Sequence, residues 1–236
     1  MSEKHLSSQF DSDLNALSSQ LMAMGGLVET QIQRAVQALA QVSVALAETV
    51  ILEEDRVDAM EVVIDRALTS IIARRQPAAR DLRLLLAISK ITTNLERVGD
   101  EAQKIARMVK SIVAAGEARN MPIGDLRLAA DLAADLIRRV LDAFARLDVA
   151  TAVSILKEDD LIDQEFKGFT RKLITYMMED PRTIRASLDL LFLAKAIERI
   201  GDHAKNIAEF IIYIVKGTDV RHSSVTQIES ALEDTP

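Results

Sequence analysis

The sequence reads ERVGD at residues 96–100 and ERIGD at residues 198–202, one pentapeptide written twice. Each copy sets two acids four apart and an arginine beside the first. Each also puts a glycine inside a helical pattern, where it costs about 1 kcal/mol against alanine. Reading outward, ERVGDEAQKIA answers ERIGDHAKNIA at an offset of 102, and EEDRVDAMEV (53–62) answers EDDLIDQEFK (158–167) at an offset of 105. The change of offset falls near two proline turns, Gln76-Pro77 and Asp180-Pro181. A repeat of this length with its order preserved is an internal duplication.

The repeating unit is three helices, so the fold class is all-α, two tandem three-helix units. Hydrophobic periodicity and caps predict helices over about residues 7–41, 44–75, 78–114, 125–147, 149–178 and 181–216. Gly25-Gly26 is a candidate kink in the first. Ser43 and Asp148 read as N-caps, Asp180-Pro181 as an N-cap and N1 pair, and Gly217 as a helix stop. Pro77 is expected in the first turn of the third helix, and GEARNMPIG (116–124) is the clearest linker. The expected division is a first repeat over 1–116, a second over 117–218 and a flexible polar tail over 219–236.

Composition narrows the function. Net charge is −7 and the pI about 5.1, which argues against nucleic acid, whose phosphates require a basic surface. Cysteine is absent, so there are neither disulfides nor thiolate metal ligands, and a cytoplasmic location is permitted. The N-terminus lacks the apolar run of a signal peptide, and the longest apolar runs, LRLLLAI and FIIYIV, fall short of the ~20 residues of a membrane helix. Membrane association is expected only through partners.

Four acid pairs spaced i, i+4 occupy duplicated places: Glu54/Asp58, Glu96/Asp100, Asp159/Asp163 and Glu198/Asp202. Such like-charged pairs share one helix face and destabilise it by a few tenths of a kcal/mol. The core stripe of the third helix reads Leu84, Ile88, Ile91, Leu95, Val98, Ala102, Ile105, Val109, and that of the sixth Leu190, Leu193, Ile197, Ile200, Ala204, Ile207, Ile211, Ile214. The acids fall roughly 100° to one side. Val57, Met60 and Ile64, and Ile162, Phe166 and Phe169, set the same phase on the second and fifth helices. The acids are therefore expected along the edge of the core, where adjacent helices bring four carboxylates together. A lone pair of this kind is an ordinary solvated surface; four in one phase point to cations. Carboxylate-only ligation suits Mg, Mn, Ca or Fe rather than a structural zinc.

Gly99 and Gly201 read as making room for a neighbour at these sites. His203, beside Asp202, is a weaker ligand candidate. RRQPAARDLR (74–83) gathers Arg74, Arg75, Arg80 and Arg83 around a helix start, a candidate anion or partner contact. The methionines read as core filler, and no phosphate-binding loop, dinucleotide fingerprint or nucleophile elbow is present.

With these motifs the chain resembles the PhoU family, bacterial accessory proteins of phosphate transport and phosphate signalling. The resemblance spans about residues 5–222 and includes HLSSQFDSDLNAL, MAMGGLVE, RQPAARDLR, LDAFARLD, TYMMEDPRTI and both ERxGD copies. It implies two three-helix bundles related by a pseudo-twofold, with [ED]xxxD clusters on their surface holding metal ions, often multinuclear and iron-containing. The cofactors expected are thus divalent or multinuclear Fe, Mn or Mg.

It also implies a non-enzymatic regulator that helps keep the phosphate-starvation response off. Such proteins couple a phosphate ABC transporter, through its ATPase subunit, to a sensor histidine kinase. A homodimer is expected as well. The alternative is a di-iron carboxylate enzyme, a class that carries E-x-x-H motifs in the bundle interior; the chain has no E-x-x-H. One departure from the family pattern is Asp159 where Glu is usual, which shortens one ligand arm.

Overall fold

A computed structural model of the chain describes residues 8–77, 79–116, 122–221, 223 and 226–228. Six long helices build it: α1 Ser8–Gln41, α2 Val44–Arg75, α3 Ala79–Ala114, α4 Arg127–Arg146, α5 Val149–Glu179 and α6 Ile184–Lys216. Short 3-10 turns at Ile123–Leu126 and Pro181–Thr183 lead into α4 and α6. No strand occurs among the described residues.

The helix ends follow local chemistry. The Ser43 hydroxyl accepts from the Leu46 N–H at 3.4 Å, and at the matching place in the second repeat the Asp148 carboxylate accepts from the Thr151 N–H at 3.1 Å. Gly217, at φ 76, closes α6 in a conformation that suits a residue without Cβ. Three starts differ from expectation. Pro77 precedes α3 instead of lying in its first turn, and α4 begins at Arg127 after a 3-10 turn containing Asp125. Asp180-Pro181 opens a 3-10 turn, its carboxylate accepting from the Arg182 N–H at 3.0 Å, before α6 proper begins at Ile184.

Helix α1 runs unbroken through Gly25-Gly26, the pair expected as a kink. A Cβ on Gly25 would stand 2.5 Å from Leu141 Cδ2, so this glycine serves the close crossing of α1 and α4.

Helices α1, α2 and α3 pack on one another, as do α4, α5 and α6. The two bundles join along α3 and α6, with α1 against α4. Contacts along α3 and α6 show that they run antiparallel. The Arg83 guanidinium lies on Gly217, Asn94 meets His203 and Asn206 at the middle, and Ser111 donates to Asp189 at 3.2 Å near the start of α6. One ion pair is duplicated as well: Arg34 with Glu53 pins α1 to α2, and Arg139 with Glu158 pins α4 to α5, each residue of the second pair 105 positions after its counterpart.

The core follows the expected stripes with small shifts. Leu85 is fully buried while Leu84 is half-buried, and Met60 and Phe166 only flank the core. The expected flexible tail needs correction in part: Val220 and Ile228, apolar residues within a largely polar segment, are buried in the core cluster.

Candidate metal centres

The first acidic cluster lies between α2 and α3. The expectation that the acids keep to the edge of the core fails for Glu54, which is only 5% exposed. The reason is Gly99: a Cβ there would stand 3.0 and 3.1 Å from the two Glu54 oxygens and 3.3 Å from Gln31 Oε1. The missing side chain thus leaves a pocket against the backbone of α3, and the Glu54 carboxylate fills it. The fully buried Gln31 of α1 reaches the same pocket and donates its amide N–H to Glu54 Oε2 at 3.0 Å. Glu54 Oε1 and Gln31 Oε1 are buried without a hydrogen-bond partner. Buried oxygens left without a donor are expensive in a protein interior, and the cost is lifted only by a proton on Glu54 or by a cation.

The remaining acids gather around this pocket. Arg97 pairs with Glu96 at 3.3 Å and donates to Asp100 at 3.1 Å. Burial pushes the Glu54 carboxyl up to about 7; the Gln31 hydrogen bond pulls the other way, and Asp100, Asp58 and Glu96 push it up further. Burial also raises Glu96, with Asp100 adding to the effect and Arg97 opposing it. Glu61, one turn beyond Asp58 on α2, is raised by burial and by neighbouring acids including Asp58, while the Thr93 hydroxyl donates to it at 3.5 Å. Sequence reading missed Glu61 and Gln31. The spacing of 54, 58 and 61 along one helix face was the available signal for Glu61; nothing in the sequence alone ties Gln31, on another helix, to the pocket.

The second cluster, between α5 and α6, repeats this frame. Asp159 is 3% exposed, again contrary to the edge expectation, and a Cβ on Gly201 would stand 3.0 Å from its Oδ1 and 2.9 Å from Ile162 Cδ1. Burial pushes Asp202 up to about 6, with Glu198, Asp159 and Asp163 adding to the effect. Here, however, lysines stand among the acids. Lys205 donates to Asp159 at 3.1 Å, Lys195 lies 2.5 Å from Glu198, and Lys167 lies 3.8 Å from Asp163. Burial raises Asp159 and the Lys205 hydrogen bond opposes it.

The other candidates fall elsewhere. The His203 ring turns away from the acids to the α3–α6 contact, with Nδ1 2.9 Å from Asn94 Oδ1. Arg199 also leaves its neighbouring Glu198 and pairs across the bundles with Glu101, a 2% exposed acid that Lys104 holds at 2.9 Å. Of the four basic residues at the α2–α3 turn, Arg75 and Arg74 reach Asp13 at 3.2 and 4.0 Å, Arg83 packs on Gly217, and Arg80 is exposed. His5 and His222 lie outside the described residues.

Among the described residues no three carboxylate or histidine side chains are drawn together tightly enough to hold an ion as they stand. The donor set of the first cluster nevertheless fits a hard cation: oxygen ligands only, two orphaned buried oxygens, and a Glu54 carboxylate seated in the space that Gly99 leaves.

Duplicated three-helix bundles, each with a glycine-cradled acid between its second and third helices, define a class of helical repeat protein built around paired acidic clusters. Residues 21–109 and again 126–211 match the PhoU domain, and the chain belongs to that family. It is 50% identical over 229 residues to a phosphate-specific transport system accessory protein PhoU homolog of Burkholderia sp, covering 97% of each chain. The accessory protein PhoU of Escherichia coli K12 is 44% identical over 97% of this chain and 94% of its own. The crystal structure of PhoU from Pseudomonas aeruginosa superposes with a TM-score of 0.86 at 44% identity, over 89% of this chain and all (100%) of that one. The phosphate transport system regulatory protein PhoU of Streptococcus pneumoniae superposes at 0.83 with 26% identity, over 89% of this chain and 99% of that one.

Proposed function

We propose that this chain is an accessory regulator of a high-affinity phosphate ABC transporter and a negative regulator of the phosphate-starvation response. In this reading it acts in the cytoplasm as a helical adaptor between the transporter's ATPase subunit and a sensor histidine kinase, modulating phosphate uptake. It forms a homodimer and meets the inner membrane only through these partners. The observation that carries the transport role is the 50% identity across 97% of both chains to a phosphate-specific transport system accessory protein. In keeping with attachment through partners, no described helix is long and apolar enough to cross a membrane.

The metal part of the proposal rests on the pocket at Gly99. Glu54, Asp58, Glu96 and Asp100 would hold a divalent or multinuclear cation of Mg, Mn or Fe, with Glu61 at its margin. A bound cation supplies the charge that lets these carboxylates ionise together and offers open positions to an acidic group of a partner. The chain's own work is to place the ligands: Gly99 admits Glu54, Gln31 fixes one of its oxygens, and Arg97 holds Glu96 and Asp100 until they are needed. No turnover belongs to this reading.

The test is genetic. In the host deleted for this chain, a phosphate-starvation reporter should be active in high phosphate, and the parent sequence should silence it. A reporter that stays off after the deletion contradicts the regulatory role.

A further inference from the structure

The two acidic clusters occupy equivalent places, yet different residues surround them. At the pentapeptide offset of 102, Thr93 and Gln103 of the first repeat become Lys195 and Lys205 of the second; at the offset of 105 that aligns the preceding helices, Val62 becomes Lys167 and Glu61 becomes Phe166. All three lysines face the acids: Lys205 on Asp159, Lys195 on Glu198 and Lys167 on Asp163. Phe166 shields the site, with the Lys195 ammonium 5.4 Å from its ring centroid. The first cluster has the opposite make-up. Five carboxylates (Glu54, Asp58, Glu61, Glu96 and Asp100) act on one another, and among the described residues the single guanidinium paired within them is Arg97, on Glu96 and Asp100. Its deepest acid receives a neutral amide from Gln31, at a place where the second repeat has the buried Leu136.

Resting on the metal reading above, we infer that the second cluster is neutralised by its own lysines, and that the first is the one strong cation site of the chain. An ammonium within about 3–4 Å of a carboxylate supplies the charge a metal would bring and occupies the oxygen lone pairs a metal needs. Lys205 sits on the most buried acid of its cluster, where displacing it would leave one charge unpaired. In the first cluster Glu54 Oε1 and Gln31 Oε1 are buried without a hydrogen-bond partner, whereas Glu198 Oε2 of the second, which also lacks an aligned hydrogen bond, has the Lys195 ammonium 2.5 Å away. The duplication has thus yielded one site open to a cation and one closed from within. A partner that reads the second face meets it the same way whether or not metal is present.

The experiment is a Mn2+ titration of the chelator-treated full chain, with free Mn2+ read by electron paramagnetic resonance and far-UV circular dichroism confirming the fold. One variant gives the second cluster the residues of the first, Lys195→Thr with Lys205→Gln. The reciprocal variant, Thr93→Lys with Gln103→Lys, gives the first cluster the lysines of the second. The parent should show a tight class of sites at least tenfold stronger than any other. The reciprocal variant should lose that class, and the Lys195→Thr/Lys205→Gln variant, which keeps only the more exposed Lys167 on Asp163, should gain a second class of similar strength. Equal Mn2+ affinity at both clusters of the parent, mapped by Glu54→Gln/Asp100→Asn against Asp159→Asn/Asp202→Asn, overturns this inference and leaves the metal reading standing. Absence of any Mn2+ binding by the folded parent overturns both.

Discussion

The first and second acidic clusters share a backbone frame, a glycine and two i, i+4 acid pairs, but they manage their charge by different means. At Gly99 the buried acid has only an amide for company, and its carboxyl is pushed up to about 7. At Gly201 the buried acid holds a lysine. The difference shows that a duplication can preserve where side chains are placed while the charges set around them diverge, through the replacement of a few lining residues.

The largest effect that could break this comparison is in the pH dependence of stability. Glu54 has a folded pKa of about 7 against 4.5 for the free group, so the metal-free folded chain holds a proton that the unfolded chain has released. Its stability contribution is full below about pH 4.5 and is lost as pH rises through about 7, to the extent of about 1–3 kcal/mol. Urea unfolding of metal-free protein across this range should show the decline, and Glu54→Gln should flatten it. An unchanged slope in that variant would place the titrating group elsewhere.

A smaller effect of different origin is expected at the other cluster. Lys205→Gln strips the buried Asp159 of its cation and should destabilise the chain by about 1–2 kcal/mol at pH 8, less than for a fully buried pair because the lysine is 39% exposed. Added Mn2+ should recover part of that loss in the variant. No difference between variant and parent would show the lysine to be a surface ornament of the site.

The smallest effect separates packing from ligation. Gly99→Ala gains about 0.5–1 kcal/mol of helix propensity and spends most of it moving the Glu54 carboxylate a few tenths of an ångström. Thermal stability should therefore hardly change, whereas Mn2+ affinity should fall several-fold. A stability loss with unchanged affinity would reverse the assignment of this glycine.

Much of the fold was legible because its signals are local. The repeated pentapeptide exposed the duplication, Ser43 and Asp148 capped the helices predicted for them, and the three- and four-residue apolar steps of α3 and α6 marked the buried faces. The depth of the site was less legible. Helical phase put Glu54 and Asp159 one step off the core stripe, as if at its edge, but the glycine on the facing helix turns that edge into a pocket. Gln31 could not be read at all, since it arrives from a third helix through packing. Lys195, three residues before Glu198 on α6, was legible as a local pair, whereas only the packing of α6 on α5 shows that Lys205 reaches Asp159. His203 erred in the opposite direction: adjacent in sequence to Asp202, it is turned by the helix toward Asn94 and the other bundle.

The most direct measurement is the metal content of the chain purified without chelator or affinity-column metal, beside folded Glu54→Gln/Asp100→Asn and Asp159→Asn/Asp202→Asn variants. The account predicts metal in the parent and in the second-cluster variant, and its loss from the first-cluster variant. Equal loss from both variants, or loss from the second-cluster variant alone, would contradict it.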